Sequence, residues 1–307
     1  MARRRKGDPV HGWVILDKPL EVTSTRAVAI VKRLFNAQKA GHAGTLDPLA
    51  TGLLAIALGE ATKTVSFAMD GRKTYQFTVR WGVETTTDDR EGEATQTSDG
   101  RPNGDDIEGI LAEFTGAIMQ VPPAFSAIKV DGARAYDLAR DGEEVTLQPR
   151  EIRIDALRLV SMADRDHAVF EAECGKGTYV RAIARDMGRK LQCFGHVSEL
   201  RRTRVGAFFE TDMISLEKLE EIRHKGAGHE EMTKFLLPVA TALDDIPEQA
   251  VNSEEAARLR SGQAIIVRGR DAPILHGTVL VTTQGDPVAL CDVNQGMLQP
   301  KRVFNLN

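Results

Sequence analysis

Residues 74–81 alternate without a slip: Tyr75, Phe77, Val79 and Trp81 fall on one side, and Thr74, Gln76, Thr78 and Arg80 on the other. A period of two sends successive side chains to opposite faces of a pleated strand, so the segment is predicted to be a strand with one face buried. Residues 167–174 repeat the pattern, with Ala168, Phe170, Ala172 and Cys174 on one face. Such strands need neighbours and a cover. Covers are available at helical spacing: Ala27, Val28, Val31, Leu34 and Phe35 behind a Thr23 or Ser24 cap, Ile107, Ile110, Leu111 and Phe114 behind an Asp105/Glu108 start, and Ile183, Met187 and Leu191 within residues 178–191. A further helix is expected over residues 215–222, and strands over 12–16 and 151–160. Half-buried strands interspersed with short amphipathic helices point to an α+β class without fixing its topology.

The chain has 307 residues, room for roughly two domains at about 150 residues each. A shift of composition near residues 243–247 marks the boundary, giving a main body over 1–244 and a small β-rich module over 245–307. In that module a helix from Ser253 to about Ser261 is stopped by Gly262 and followed by β-type runs at 264–267, 278–283 and 288–293. Hydrophobic residues make up 42%, enough to build a core, and the longest apolar stretches, such as 53–58, fall far short of the ~20 residues that span a bilayer. The basic start Arg3, Arg4, Arg5 and Lys6 runs into Gly7, Asp8 and Pro9 with no apolar segment behind it, so a cytoplasmic protein without a secretory signal is expected. Three cysteines (Cys174, Cys193, Cys291) form neither a disulfide framework nor a metal-ligand spacing.

The net charge of −4 hides a segregation. Residues 1–40 carry nine basic and three acidic side chains, and residues 176–204 carry eight and two; residues 84–113 carry two basic and ten acidic. A polyanion responds to the local field, so two basic segments can form a phosphate-binding face on an acidic protein, while solvated helix faces remain the plainer account. The acidic stretch is expected to be an exposed loop and helix turned away from any nucleic acid.

Three segments could carry chemistry. GHAGTLDPLATG, residues 41–52, sets one carboxylate, one imidazole and two hydroxyls among three glycines, with Asp47 held in an extended or turn conformation by Pro48. It lacks the Gly-Lys-Ser/Thr ending of a phosphate loop and the partners of a metal site. GKGTYVR, residues 175–181, turns a strand into a helix whose N-terminus offers free N–H groups, with Arg181 in the first turn. Tyr75, one of three tyrosines, opens the alternating strand. Each has a bland alternative: a turn-capping aspartate, a surface arginine, a core aromatic. Together they supply a nucleophile, a cation to pair with it and an aromatic platform, which suits chemistry on a flat uncharged ring better than phosphoryl or hydride transfer.

The Asp47 segment, extended through Leu53 and Leu54, resembles nearly residue for residue the catalytic motif of TruB-type tRNA pseudouridine synthases, a family that includes dyskerin. GWVILDKP (12–19) with Thr23 and Ser24 is similar to that family's opening, KTYQF (73–77) to its Lys-x-Tyr strand, QVPPAFSAIK (120–129) to its RNA-gripping insertion at about 120–150, and residues 175–181 with HVSELRR (196–202) to its remaining active-site segments. The resemblance runs in order over about residues 10–220. It implies the pseudouridine synthase fold, a mixed, largely antiparallel sheet, followed by a PUA-like RNA-binding module at 245–307.

The implied activity is isomerisation of uridine 55 in the T arm of tRNA to pseudouridine, on a base flipped out of its stack. The resemblance casts Asp47 as the nucleophile, attacking the uracil ring or the ribose anomeric carbon. Arg181 would pair with Asp47, and Tyr75 would stack on the base and take part in proton handling. His42 would contact the flipped-out RNA, and Tyr179 and the Leu200 backbone would border the uracil. Lys18, Lys129, Arg185, Arg201 and Arg202 become candidate phosphate contacts. No metal, nucleotide or redox cofactor is implied, because the isomerisation is redox-neutral; the partner is tRNA, without a membrane, and a monomer is expected. The alternatives are a non-catalytic tRNA-binding or folding chaperone on the same scaffold, for which an intact Asp47 motif is unnecessary, and a glycoside hydrolase, which needs a second carboxylate the loop does not offer. A nucleotide-binding enzyme lacks its glycine-rich fingerprint here.

Overall fold

The computed structural model describes residues 7–126, 128–130, 133–135, 138, 141–142, 145–226, 228–266 and 275–306. The basic start at residues 3–6 and much of the expected insertion beyond residue 126 lie outside the described residues, as does the end of the run at 264–267.

The body is a ten-stranded sheet: β1 (Gly12–Lys18), β2 (Ala40–His42), β3 (Ala50–Leu58), β4 (Lys73–Trp81), β5 (Gly116–Gln120), β6 (Arg150–Met162), β7 (His167–Cys174), β8 (Gly195–Val205), β9 (Phe208–Phe209) and β10 (Ile214–Ser215). Its order is β10-β1-β3-β8-β4-β7-β6-β5, with β2 on β3 and β9 on β8. The β1–β10 and β3–β8 pairs are parallel and the remaining pairs antiparallel, a mixed, largely antiparallel sheet. The glycine-rich segment that holds Asp47 is the connection between β2 and β3, and the apolar stretch at 53–58 belongs to β3.

The two ends of the sheet are covered differently. Along β3, Leu54, Ile56 and Leu58 join one apolar cluster and Leu53, Ala55 and Ala57 another, so both faces are buried and alternation disappears from the sequence. Helix α1 (Ser24–Leu34), capped by the Thr23 side chain on Arg26 N, buries Ala27, Val31 and Leu34 against the first face. Along β4, Phe77, Val79 and Trp81 are buried with Phe170 and Ala172 of β7, while Gln76 and Arg80 stay exposed. The N-terminal end of β4 departs from this packing: Lys73 and Tyr75, on the same side as Phe77, line a cavity with Leu200 and Arg202 of β8.

Other helices are α2 (Val65–Asp70), α3 (Gly104–Leu111), α4 (Val180–Lys190), α5 (Leu216–His224) and α6 (Ser253–Arg260). Two starts differ from expectation. Asn103, not Asp105, caps α3 in a reciprocal box with Asp106, and Asn252, not Ser253, caps α6 in a box with Glu255. Asn is at least as good a cap as Asp or Ser, and the pairing three residues on selects it.

From Glu248 onward the chain builds a second sheet from β11 (Glu248–Ala250), β12 (Ile265–Ile266), β13 (Thr278–Thr283), β14 (Asp286–Asn294) and β15 (Met297–Val303), in the order β11-β13-β14-β15-β12. Ala256 and Leu259 of α6 cover Val279, Val281, Ala289 and Cys291. Leu280, Leu290 and Phe304 dock on the main body in a cluster with Trp13, Phe208 and Val239. No helix among the described residues is long and apolar enough to cross a membrane.

Candidate active site

Asp47 opens the tight turn that leads into β3, where Ala50 N donates to its carbonyl at 3.1 Å. The turn is pinned from below. Lys18, at the end of β1, donates from Nζ to Val22 O at 2.7 Å, Pro19 O at 2.9 Å and Pro48 O at 3.3 Å. Burial pushes its pKa down to about 8, with the nearby Asp47 charge pulling the other way. Ser24 at the start of α1 both donates to Leu46 O and accepts from Leu46 N, each at 2.9 Å. Gly52 has φ +91°, and a Cβ there would stand 2.3 Å from Arg202 O, so only glycine lets β3 run this close to β8.

The β7–α4 junction supplies the cation. Arg181 Nη2 lies 2.9 Å from Asp47 Oδ2 and donates to Phe125 O at 3.0 Å; Nη1 donates to Thr87 O at 2.8 Å and lies 3.5 Å from Asp89 Oδ2. The pair opens on a cavity of about 440 Å³, whose walls include Asp47, Tyr75, Phe125, Tyr179, Arg181, Leu200 and Arg202. Lys73 also lines it. The Lys73 ammonium is tied to Met69 O and Gly71 O, and burial lowers its pKa to about 8, with Arg202 adding to the effect. Tyr179 precedes α4; Gln120 holds its backbone through a reciprocal pair of hydrogen bonds, at 3.1 Å to its carbonyl and 3.0 Å from its N–H. Arg150 lies over the Tyr179 ring, 5.1 Å from its centroid. Tyr75 has its pKa raised by burial, with the Arg202 guanidinium opposing.

Of the candidate residues, Asp47, Tyr75, Arg181, Tyr179, Leu200 and Arg202 meet at this cavity. His42 does not line it: the ring is half-buried on β2, its pKa lowered by burial and by Arg202. The phosphate candidates fare differently. Lys18 is fully buried beneath the turn, and Arg202 is 1% exposed, bonded to Leu53 O and Gly44 O. Arg185 is buried against Asp88 at 2.9 Å and Asp186 at 2.8 Å, and it donates to Val121 O. None of these three side chains presents a cation to solvent, so they are corrected from phosphate contacts to internal ties. Arg201, partly exposed, is held by Asp17 and Glu210 at 2.9 Å each. Lys129 stands on a short strand (Lys129–Val130), but its side chain lies outside the described residues.

The acidic stretch is exposed at Glu91, Glu93, Asp99, Asp105, Asp106, Glu108 and Glu113, as expected, and is corrected only at its start. Glu84, Asp88 and Asp89 are buried and face α4, meeting Arg189, Arg185 and Arg181 in turn. The line of arginines at every fourth position thus has an internal counter-line. The matching charges of the two segments carried that signal, and a reading confined to local pattern missed it, along with Asp89, Gln120 and Phe125 O. Lys73 could have been found, since it shares the buried face of β4 with Tyr75 and Phe77. No cluster of metal-ligating side chains occurs among the described residues.

The family model described as the TruB family pseudouridylate synthase N-terminal domain matches residues 32–180, and that of the tRNA pseudouridylate synthase B C-terminal domain matches residues 181–244. The chain belongs to the TruB family. The junction of the two matched regions falls inside α4, and β8 of the second lies between β3 and β4 of the first, so both regions share one sheet. Among relatives, the tRNA pseudouridine synthase B of Bradyrhizobium diazoefficiens is 62% identical over 99% of this chain and 88% of its own length; that of Agrobacterium fabrum is 56% identical over 98% and 97%. A chain in the crystal structure of a Cbf5-Nop10-Gar1 complex superposes with a TM-score of 0.75 at 26% identity, covering 96% of this TruB-family chain and 85% of its own.

Proposed function

We propose that this TruB-family chain is a tRNA pseudouridine synthase that isomerises uridine 55 of the T arm, with Asp47 as nucleophile. The observation that carries the reading is the Asp47–Arg181 pair, 2.9 Å apart at the wall of a cavity large enough for one nucleoside. A uridine stacked inside a folded arm must be flipped out to reach such a cavity. The Asp47 carboxylate then attacks carbon, and a covalent intermediate divides one hard step into two easier ones. Arg181 holds the carboxylate in place with a fork that Phe125, Thr87 and Asp89 keep from rotating. Tyr75, Tyr179 and Leu200 enclose the base. His42 touches RNA from β2 outside the cavity. Arg201 and Lys129 are left as the phosphate contacts, with the module at 245–307 adding RNA-binding surface. The chain works as a cytoplasmic monomer without a cofactor. The test is incubation of the purified protein with an unmodified T-arm stem-loop, no cofactor added, followed by mapping of pseudouridine. Product at the single T-loop position is expected; tight binding without product would favour the chaperone reading.

A further inference from the structure

Gln120, the last residue of β5, is only 2% exposed although it stands on the edge strand of the ten-stranded sheet. Its side-chain amide serves one residue. Oε1 accepts from the Tyr179 N–H at 3.0 Å, and Nε2 donates to the Tyr179 carbonyl at 3.1 Å. Tyr179 is extended, at φ −107° and ψ 112°, a conformation in which the N–H and C=O of one residue point the same way, as they do toward a paired strand. The amide therefore grips Tyr179 as a further strand would. An ionised Glu of the same length has no donor, and Lys and Arg have no acceptor, so the hold is specific to Gln.

Helix α4 depends on that hold. Tyr179 is its N-cap, and the side chain makes no capping bond. The Tyr179 N–H falls outside the helical ladder, while its carbonyl already accepts from Ile183 N at 3.2 Å. The start of the helix is thus set from across the sheet and not by a local cap. The cross-strand partner of Gln120 is Arg150, which lies over the Tyr179 ring, 5.1 Å from its centroid, and donates to Gly177 O. One register pair at the sheet edge holds Tyr179 by both backbone and ring, and Tyr179 lines the Asp47 cavity. Gln120 is not among the residues that line it.

We propose that Gln120 is a positioning residue, which holds the Tyr179 ring as the wall against which the flipped uracil is set for attack by Asp47. This rests on the pseudouridine synthase reading. Attack at carbon needs the reacting atoms close and in line, and a displacement of about 1 Å can slow a reaction about 10²-fold. The T arm as a whole is held through many phosphate and sugar contacts, so a loosened wall lowers the rate and leaves affinity nearly intact.

The test uses the full chain under single-turnover conditions with an unmodified T-arm stem-loop. Gln120→Met keeps the length of the side chain and removes both hydrogen bonds. Its rate is expected to fall about tenfold, with the Kd within about threefold of the parent. Tyr179→Leu removes the ring but keeps the backbone that Gln120 holds. In that background Gln120→Met should slow the reaction by less than about twofold more, because the ring it positions is gone. A repeat of the full tenfold loss in the Tyr179→Leu background, the sign of a residue that only fixes α4 and with it Arg181, would overturn the proposal, as would an unchanged rate in Gln120→Met. Gln120→Asn keeps the amide but falls one methylene short, and it gives the same comparison where Gln120→Met does not fold. A parent chain that leaves the stem-loop unconverted would instead overturn the pseudouridine synthase reading.

Discussion

The Asp47 side chain is 42% exposed and that of its partner Arg181 only 7%, so the ion pair has a fixed, buried half and a half that faces the cavity. The nucleophile role proposed for Asp47 needs that asymmetry: oriented from behind, reachable from in front. Asp47→Asn keeps the size of the side chain but removes the charged carboxylate that the proposed mechanism uses as nucleophile. We expect no pseudouridine from the purified variant, while T-arm affinity stays within about tenfold, ~1.4 kcal/mol, by filter binding. Appreciable turnover would take the nucleophile role away from Asp47. Arg181→Lys keeps the charge but not the planar fork that meets Asp47, Phe125 O and Thr87 O together. Single-turnover rates should fall about 10²-fold with affinity preserved; unchanged kinetics would mean the fork does not orient the carboxylate.

Helix α4 and the segment at 84–89 meet through three arginine–carboxylate contacts, and Asp88 is the most strained of the acids. Burial raises its pKa to about 6 against the pull of Arg185 and Arg181, and its backbone sits at φ +59°. A carboxyl raised in the folded state takes up protons there that the unfolded chain lacks. Its stabilising effect is thus fully present below the unfolded value of 3.8 and is lost as pH rises through about 6. Urea unfolding of Asp88→Asn and the parent should therefore diverge between these limits. The variant gains on the parent by up to about 3 kcal/mol as pH rises from 4 to 6, then holds level; parallel pH curves would show that Asp88 is not the group responsible. The same pair of elements marks what the sequence could tell. The strands β4 and β7 were legible because one covered face imposes a period of two. β3 was not, because it is covered on both faces, and the short edge strands β2 and β5 offer too few residues for any period. The Asp47, Tyr75 and Arg181 segments stood out by unusual local grammar. The ties to Asp89, Phe125 O and Gln120 did not, since each joins residues 56 to 94 positions apart and has no local trace. The same distance hid the burial of Lys18, Arg185 and Arg202, which a count of basic residues ranks as surface charge.

At the scale of the whole molecule the question is whether the second sheet is an appendage or part of the body. Its docking face is apolar: Leu280, Leu290 and Phe304 complete the cluster around Trp13, which is itself fully buried on β1. Polar ties surround that face, with Lys63 donating to Val303 O at 2.7 Å, Glu60 accepting from Asn305 N at 2.8 Å, and Arg302 reaching Lys63 O. Gly59 and Glu60 follow directly on β3, so the module braces the far end of the strand that begins beside Asp47. An RNA-binding appendage could be removed with a loss of affinity alone; a brace could not. Phe304→Ala, a truncation at a residue 2% exposed, should cost about 3–5 kcal/mol and lower the melting temperature of the whole chain in one cooperative transition. Calorimetry that showed two separate transitions, with the main body melting at its parental temperature, would make the module independent. In the cooperative case, variants of the docking face should lose single-turnover rate before they lose T-arm affinity, because the strain reaches β3 and the Asp47 turn rather than an RNA-contact surface.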